Sequence, residues 1–275
     1  MTNLAEWSLS QSFKYRGDRV AYEVFGDGPP VVLVHGTPFS SYVWRKIAPE
    51  LAKSYKVYVF DLLGYGDSSK REGQDVSLAS QGKLLAHLLD HWQLESPMIV
   101  GHDFGGATTL RAHVLERCDF SRIALVDAVS VAPWGSPFYQ LVKDYPGVFR
   151  QIPGYMHQAM LAAYIRDATY RPMGDEELAP YIEPWLGEEG QAAFYRQIEQ
   201  NDQRYTDEAE PFYRQIERPV LILWGEEDRW IPVEIGEKLH SAIPGSRFET
   251  IPECAHLAQE DATESVLGHL TDFLS

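Results

Sequence analysis

The chain has 275 residues, of which 44% are hydrophobic and 23% are charged, and its 24 Lys and Arg against 40 Asp and Glu give a formal net charge of −16. This composition is typical of a globular protein, and a chain of this length can bury a core without disulfides or a structural metal. The acidic balance argues against a nucleic-acid partner, because binding to phosphates depends on clusters of Lys and Arg.

The two cysteines, Cys118 and Cys254, fit neither a disulfide framework nor a metal-binding motif, and they favour a reducing compartment. The first residues show no basic segment followed by an apolar run, and no apolar stretch approaches the roughly 20 residues that span a bilayer. We therefore expect a cytoplasmic protein with no membrane partner and no metal site.

Short apolar runs bounded by Gly or Pro alternate with longer helical patterns along much of the chain. The predicted strands are Val31–Val34, Val57–Phe60, Met98–Val100, Ile123–Val126 and Val220–Trp224. The predicted helices are Leu78–Trp92, Ala107–Glu116, Pro232–Ala242 and Thr263–Leu274. This alternation predicts the α/β class, with a mostly parallel central sheet flanked by helices.

The alternation stops between Asp127 and about Arg214, where the chain is rich in Tyr, Trp, Pro and Met at helical spacing. The interruption is too long for a loop. We interpret it as an inserted helical cap over the carboxyl ends of the strands, where α/β folds bind ligands. The predicted division is a core of residues 1–128 and 214–275 and a cap of residues 129–213.

The segment GHDFGG, which begins at Gly101, directly follows a predicted strand and directly precedes a predicted helix. It has the form of a nucleophile elbow, a strained turn that needs small residues on both sides of the nucleophile. Gly101, Gly105 and Gly106 provide that space, and Asp103 stands where the usual Ser would be.

Other polar segments also follow predicted strands. The turn that contains Thr37 comes after the first of these strands and can present its amide beside the elbow. Asp228 ends a late strand, and His256 precedes the last helix. The order nucleophile, acid, histidine is the one used by α/β-hydrolases. Glu227 and Asp127 remain alternatives for the acid.

These motifs resemble the α/β-hydrolase superfamily, in particular its branch with an aspartate nucleophile, which includes epoxide hydrolases, haloalkane dehalogenases and haloacetate dehalogenases. The resemblance covers nearly the whole chain outside the cap, and its most specific parts are the segments 35–45 and 101–106. It implies a nucleophile at Asp103, a general base at His256, an orienting acid at Asp228, and an oxyanion hole formed by the amides of Thr37 and Phe104.

An aspartate nucleophile points to reaction at saturated carbon. A carboxylate that attacks an ester would form a high-energy anhydride, whereas attack on saturated carbon displaces a halide or opens an epoxide and leaves an alkyl ester on the enzyme. A water activated by His256 would then hydrolyse this ester. The amino end of the following helix would keep Asp103 ionised.

The choice between halide and epoxide depends on the groups that stabilise the leaving atom. Haloalkane dehalogenases commonly carry Asn and Trp at the positions of Thr37 and Phe104, and haloacetate dehalogenases usually carry Arg beside the nucleophile. Related epoxide hydrolases use two cap tyrosines. The resemblance suggests Tyr195 as one of them and Tyr145 or Tyr155 as its partner, while Trp134 or Trp185 could instead donate to a halide.

The sequence therefore predicts a cofactor-free hydrolase that acts on a small apolar organic substrate with water, with epoxides favoured over haloalkanes. One alternative is an esterase or lactonase in which Asp103 acts as a base on water. Another is a hydrolase-like receptor that binds without turnover. The sequence is compatible with a homodimer but does not determine the oligomeric state.

Overall fold

The computed structural model describes residues 7–275. Its strands form one sheet in the order β1-β2-β4-β3-β5-β6-β7-β8. They are β1 (Gln11–Tyr15), β2 (Asp18–Phe25), β3 (Pro30–Val34), β4 (Lys56–Phe60), β5 (Met98–His102), β6 (Arg122–Val126), β7 (Val220–Gly225) and β8 (Arg247–Ile251).

The sheet is parallel from β4 to β8, while β2 pairs antiparallel with both β1 and β4. In the centre, Val31 of β3 lies opposite Val57 of β4 and Met98 of β5. These strands are continuous apolar runs because helices cover both faces of the sheet. The predicted parallel α/β sheet is confirmed, and each of the five predicted strands is present within one or two residues.

Three strands were not predicted from the sequence. The hairpin β1–β2 lies at one edge of the sheet and β8 at the other. Most of β1 and β8 is exposed or half-buried. Their residues therefore lack the continuous apolar run by which the central strands were identified.

The α-helices are α1 (Ala48–Leu51), α2 (Leu78–Trp92), α3 (Phe104–Val114), α4 (Pro137–Asp144), α5 (Pro146–Phe149), α6 (Gly154–Arg166), α7 (Asp175–Ile182), α8 (Gly187–Gln200), α9 (Arg204–Asp207), α10 (Val233–Ala242), α11 (Ala258–Asp261) and α12 (Thr263–Leu274). Short 3₁₀ helices span Ser41–Trp44, Glu183–Trp185 and Glu210–Gln215. Within residues 7–275, no helix is both long enough and apolar enough to cross a bilayer.

Helix α3 begins three residues earlier than predicted, directly after Asp103. The first turn of α3 contains two glycines, which have low helix propensity. For this reason the sequence predicted a helix that begins after them. The earlier start matters because it places the amino end of α3 at the Asp103 carboxylate.

Helices α4 to α9 all lie between β6 and β7 in the chain. Part of this insertion contacts the turn after β3: the Trp185 indole donates a hydrogen bond to the carbonyl oxygen of Pro38 at 2.7 Å. The insertion therefore packs at the carboxyl ends of the parallel strands, on the side of the sheet that carries the Asp103 turn.

Candidate active site

Asp103 lies in a sharp turn between β5 and α3, with φ 51° and ψ −120°. Non-glycine residues rarely adopt a positive φ, and such strain concentrates at functional sites. The turn is packed closely: a Cβ atom on Gly105 would lie 2.3 Å from the Val34 carbonyl oxygen, and one on Gly36 would lie 2.4 Å from the Asp103 Cβ. Glycine at these two positions lets the elbow approach the turn after β3.

One oxygen of Asp103 is held by a backbone amide. The Thr37 N–H donates to Asp103 Oδ1 at 2.6 Å. Phe104 is the first residue of α3, so its amide has no acceptor within the helix and is directed to the same end. The Thr37 amide thus contacts the Asp103 carboxylate, and the Phe104 amide directly follows Asp103 in the chain. These are the two amides that the resemblance suggests for an oxyanion hole.

The turn that carries Thr37 is braced by His35, which is fully buried. His35 Nδ1 lies 2.9 Å from the Gly36 carbonyl oxygen, and the Leu62 amide donates to Nε2 at 2.9 Å. Burial lowers the pKa of His35, which favours the neutral ring that these two contacts require. His35 therefore has a structural role in holding the turn.

The second oxygen of Asp103 faces His256. His256 Nε2 lies 3.3 Å from Asp103 Oδ2, within ionic contact but without hydrogen-bond geometry. His256 Nδ1 donates to Asp228 Oδ2 at 2.8 Å. Asp228 Oδ1 in turn accepts the amides of Trp230 and Ile231 at 2.8 and 2.9 Å. The structure thus brings the predicted nucleophile, histidine and acid together in one buried chain of contacts.

His256 lies between two carboxylates. Its complete burial opposes the charged ring, but Asp228 and Asp103 outweigh burial and hold the pKa of His256 well above its ordinary value. The two carboxylates therefore favour the protonated ring of His256.

The two alternative acids are placed differently. Glu227 is exposed to solvent. Asp127 is fully buried, and its Oδ1 accepts the Gly225 amide at 2.7 Å, while Oδ2 has no partner among the described residues. Burial and the nearby Asp228 raise the pKa of Asp127 well above its usual value, which favours the protonated acid. Of the three candidate acids, Asp228 is the one that is hydrogen-bonded to His256.

This difference gives a testable contrast between two buried acids. We expect Asp228→Asn to lower turnover by roughly 10²–10⁴-fold, because His256 loses the acceptor that fixes its tautomer. Asp127→Asn should leave turnover nearly unchanged, since a neutral amide replaces a neutral acid and can still accept the Gly225 amide. Steady-state rates of the two variants test this assignment, and a greater loss in Asp127→Asn would reassign the acid.

A small cavity of about 30 Å³ adjoins Asp103. Asp103 is the one charged residue in its lining, and four aromatic rings from the insertion and the loop after β7 form much of its wall. The lining consists of Thr37, Asp103, Phe104, Val129, Trp134, Gly135, Ser136, Tyr139, Tyr164, Trp230 and Ile231. The cavity is suited to a small neutral ligand.

The three tyrosines suggested from the sequence do not line this cavity. Tyr145 and Tyr155 are 58% and 76% exposed on the outside of the insertion. Tyr195 is buried, but its hydroxyl lies 2.9 Å from His157 Nδ1, in the interior of the insertion. These expectations are corrected: helical spacing alone did not show which face of each helix turns towards Asp103.

The two tryptophans suggested as halide donors are already engaged. Trp134 lines the cavity, but its indole N–H donates to Thr206 Oγ1 at 2.8 Å. The Trp185 indole is bound to Pro38, as described above. Neither indole is free to donate to a leaving group.

Two tyrosines that the sequence did not single out, Tyr139 and Tyr164, do line the cavity. Tyr164 stacks on Trp230 with ring centroids 4.1 Å apart. Burial raises the pKa of both tyrosines, and the Asp103 charge acts in the same direction, so both hydroxyls keep their protons. Ser136 is the N-cap of α4, and it is the feature of the sequence that could have indicated the helical register of Tyr139. No comparable feature of the sequence distinguishes Tyr164.

No group of three or more His, Cys, Asp or Glu among residues 7–275 is arranged to hold a metal ion.

Comparisons with known proteins agree with this architecture. A family model described as the alpha/beta hydrolase fold matches residues 29–263. A solved α/β hydrolase fold protein from Burkholderia ambifaria is 47% identical, with a TM-score of 0.94 and coverage of 97% of this chain and 98% of that one. The 2-hydroxy-6-oxo-2,4-heptadienoate hydrolase of Pseudomonas putida is 29% identical over 91% of this chain and 90% of its own length. A variant of the haloalkane dehalogenase DatA from Agrobacterium tumefaciens shares the fold, with a TM-score of 0.82 and 21% identity over 96% of each chain.

Proposed function

The chain belongs to the α/β-hydrolase family, and from this premise we propose that it is a cofactor-free hydrolase in which Asp103 attacks saturated carbon and forms a covalent alkyl ester. The observation that carries the proposal is the arrangement of the two Asp103 oxygens. Oδ1 accepts the Thr37 amide, Oδ2 lies 3.3 Å from His256 Nε2, and Asp103 lines the cavity. A carboxylate held in this way can act as a nucleophile with one oxygen and keep the other in an oxyanion hole.

In the first step, Asp103 Oδ2 forms a bond to the substrate carbon as the bond from that carbon to its leaving atom breaks. The electron pair of that bond goes to the leaving atom, which is the ring oxygen of an epoxide or a halide. An epoxide oxygen remains tethered as an alkoxide and takes a proton from a neighbouring hydroxyl, whereas a halide departs as the anion.

In the second step, His256 removes a proton from water, and the resulting hydroxide adds to Asp103 Cγ. The negative charge forms on Oδ1, where the Thr37 amide already donates. Collapse of this intermediate breaks the bond between Cγ and Oδ2, and Oδ2 leaves with the product as a hydroxyl after taking the proton that His256 removed from water. The carboxylic acid that remains at Asp103 gives its proton to His256. One oxygen of the Asp103 carboxylate then comes from solvent.

Esterification changes the proton affinity of His256. In the free enzyme, Asp103 and Asp228 together raise the pKa of His256 well above its usual value. The ester carries no charge, so the contribution of Asp103 disappears and the pKa of His256 falls. His256 can thus release its proton, to the tyrosinate left by opening of an epoxide or to solvent after loss of a halide, and become a base after the nucleophile has reacted.

The cavity favours an epoxide over a haloalkane. Opening an epoxide requires a proton donor, and Tyr139 and Tyr164 both keep their protons beside Asp103. A departing halide instead needs N–H donors, and the indoles of Trp134 and Trp185 are bound elsewhere. Haloalkane hydrolysis remains the alternative with the same nucleophile and the same fold.

We expect the double variant Tyr139→Phe with Tyr164→Phe to lower the rate of alkylation by propylene oxide by roughly 10²–10³-fold, the range found when a transition-state donor is removed. Any alkylation by bromoethane should change little, because bromide leaves without a proton. Tyr195→Phe is the matched control, since Tyr195 is a buried tyrosine of the insertion that contacts His157 outside the cavity. Equal losses in the double variant and the control would contradict this assignment.

Carboxylate substrates fit the site poorly. An anion in an apolar cavity needs a cationic partner, and the described lining contains none. The side chain of Arg111, in the helix after the nucleophile, is bound to the Tyr205 carbonyl oxygen and to Glu208. This disfavours haloacetates and also substrates of the kind named for the Pseudomonas putida relative.

A single turnover in water enriched in ¹⁸O separates the covalent route from direct hydrolysis. In the covalent route the label enters the Asp103 carboxylate and the first product molecule carries no solvent oxygen. If Asp103 were only a base on water, as in the esterase or lactonase alternative, the product would carry the label and Asp103 would not. A receptor without activity would show saturable binding and no labelled species at all.

A further inference from the structure

Asp261, at the end of α11, accepts three backbone hydrogen bonds. Its Oδ2 accepts the amides of Tyr170 at 2.7 Å and Ala255 at 3.0 Å, and its Oδ1 accepts the amide of Arg171 at 3.1 Å. Asp261 is only 5% exposed. A buried carboxylate of this kind depends on its donors, because an unpaired charge in the interior is costly.

These bonds join two segments that are distant in the sequence. The first is the histidine loop, residues 252–257, which carries His256. The second is the cap segment, residues 168–171, which follows α6. Besides the bonds through Asp261, the Leu257 amide donates directly to the Ala168 carbonyl oxygen at 2.8 Å. The residues on both sides of His256 are therefore tied to the cap segment, one directly and one through Asp261.

The same part of the insertion reaches the cavity. Helix α6 ends just before the cap segment and carries Tyr164, which stacks on Trp230. The Trp230 amide donates to Asp228, the partner of His256. The position of α6 is thus linked to the histidine through the cap segment and to its acid through Trp230.

Asp103 is held by a different set of contacts. Its carboxylate accepts the Thr37 amide, and its backbone belongs to the turn between β5 and α3. None of the described hydrogen bonds of Asp261 reaches that turn. A disturbance at Asp261 should therefore act on His256 and leave the nucleophile in place.

We propose that Asp261 is a positioning residue that fixes His256 against the cap segment, so that the hydrolysis step depends on the bonds made by Asp261 while the alkylation step does not. This inference rests on the proposed function, since it assigns different steps to Asp103 and His256. Asp261 acts through the geometry of the histidine loop, and a displacement of a catalytic group by about 1 Å can lower the rate by about 100-fold.

The test is Asp261→Asn, which keeps the shape of the side chain but replaces one acceptor oxygen with an amino group. With bromoethane or propylene oxide as the probe, whichever the wild type turns over, we expect the hydrolysis rate constant to fall by about 100-fold. The alkylation rate constant should change little, so the alkyl-enzyme becomes the main species in the steady state. Rapid quench followed by intact-protein mass measures both constants.

Glu260→Gln is the matched control. Glu260 is the neighbouring acid and also connects the insertion to the core, because it contacts Arg45, Lys46 and Tyr181. Its backbone amide donates to the Leu257 carbonyl oxygen, but its side chain makes no described hydrogen bond to the histidine loop. We expect this variant to lose stability without accumulating alkyl-enzyme. An equal fall of both rate constants in Asp261→Asn, or an unchanged ratio between them, would overturn the proposal.

Hydrogen exchange on the wild type provides a second test should Asp261→Asn fail to fold. The amides of Tyr170, Arg171, Ala255 and Leu257 should exchange with one common opening free energy, because they belong to one bonded unit. Separate opening of the two segments would overturn the proposal. Failure of the proposed function gives a different result from failure of this inference. In the first case His256→Phe forms no adduct, and in the second case that adduct still forms.

Discussion

Asp103→Ala is expected to lose turnover by roughly 10⁴–10⁶-fold with every substrate of the wild type, since removal of a covalent nucleophile has effects of this size in other hydrolases. No other described carboxylate can replace it. Asp228 is bound to His256 and to two amides, and Asp127 is held by Gly225. The measurement is the steady-state rate with bromoethane, propylene oxide and methyl acetate.

Folding of this variant must be shown separately, because Asp103 Oδ1 is also the acceptor of the Thr37 amide. Thermal unfolding and binding of a substrate-sized ligand serve this purpose. Substantial residual turnover in folded Asp103→Ala would mean that the chemistry does not pass through this carboxylate.

His256→Phe is expected to separate the two steps completely. The phenyl ring fills the buried site of the imidazole, beside Trp230 and His102, but it cannot activate water. Asp103 would react once and stop at the ester. We therefore expect a burst of one equivalent of bromide per enzyme from bromoethane, or uptake of one equivalent of propylene oxide, and a later rate reduced by roughly 10²–10⁴-fold.

The natural control is Asp228→Asn, which keeps the histidine but removes its acceptor. It should show the same burst, followed by a slow turnover that is faster than that of His256→Phe. A wild-type rate after the burst in His256→Phe would mean that another group activates water.

The central fold and the grouping of Asp103, Asp228 and His256 could be predicted from the sequence because both depend on local signals. The strand before Asp103 is a buried apolar run, and the glycines around it reflect a turn whose backbone passes close to Val34. Residues such as Asp228 and His256 follow strands whose carboxyl ends meet at one edge of the sheet. The parallel topology then brings them together.

The cap residues could not be predicted in the same way. Whether Tyr139 or Tyr145 faces Asp103 depends on how α4 docks, and that is decided by contacts distant in the sequence, such as the bond between Trp134 and Thr206. The role of Asp261 was equally hidden, because its partners at Tyr170 and Arg171 lie about 90 residues away in the chain. Helical spacing shows which residues share one face of a helix, but not which part of the structure that face contacts.

The covalent intermediate is tested most directly by the intact mass of His256→Phe after incubation with bromoethane and, separately, with propylene oxide. We predict one adduct per chain, of hydroxypropyl mass from the epoxide or of ethyl mass from the bromide, located on Asp103 by peptide mapping and absent when Asp103→Ala is added. No adduct from either compound, while the wild type still turns one of them over, would contradict the assignment of Asp103 as the nucleophile.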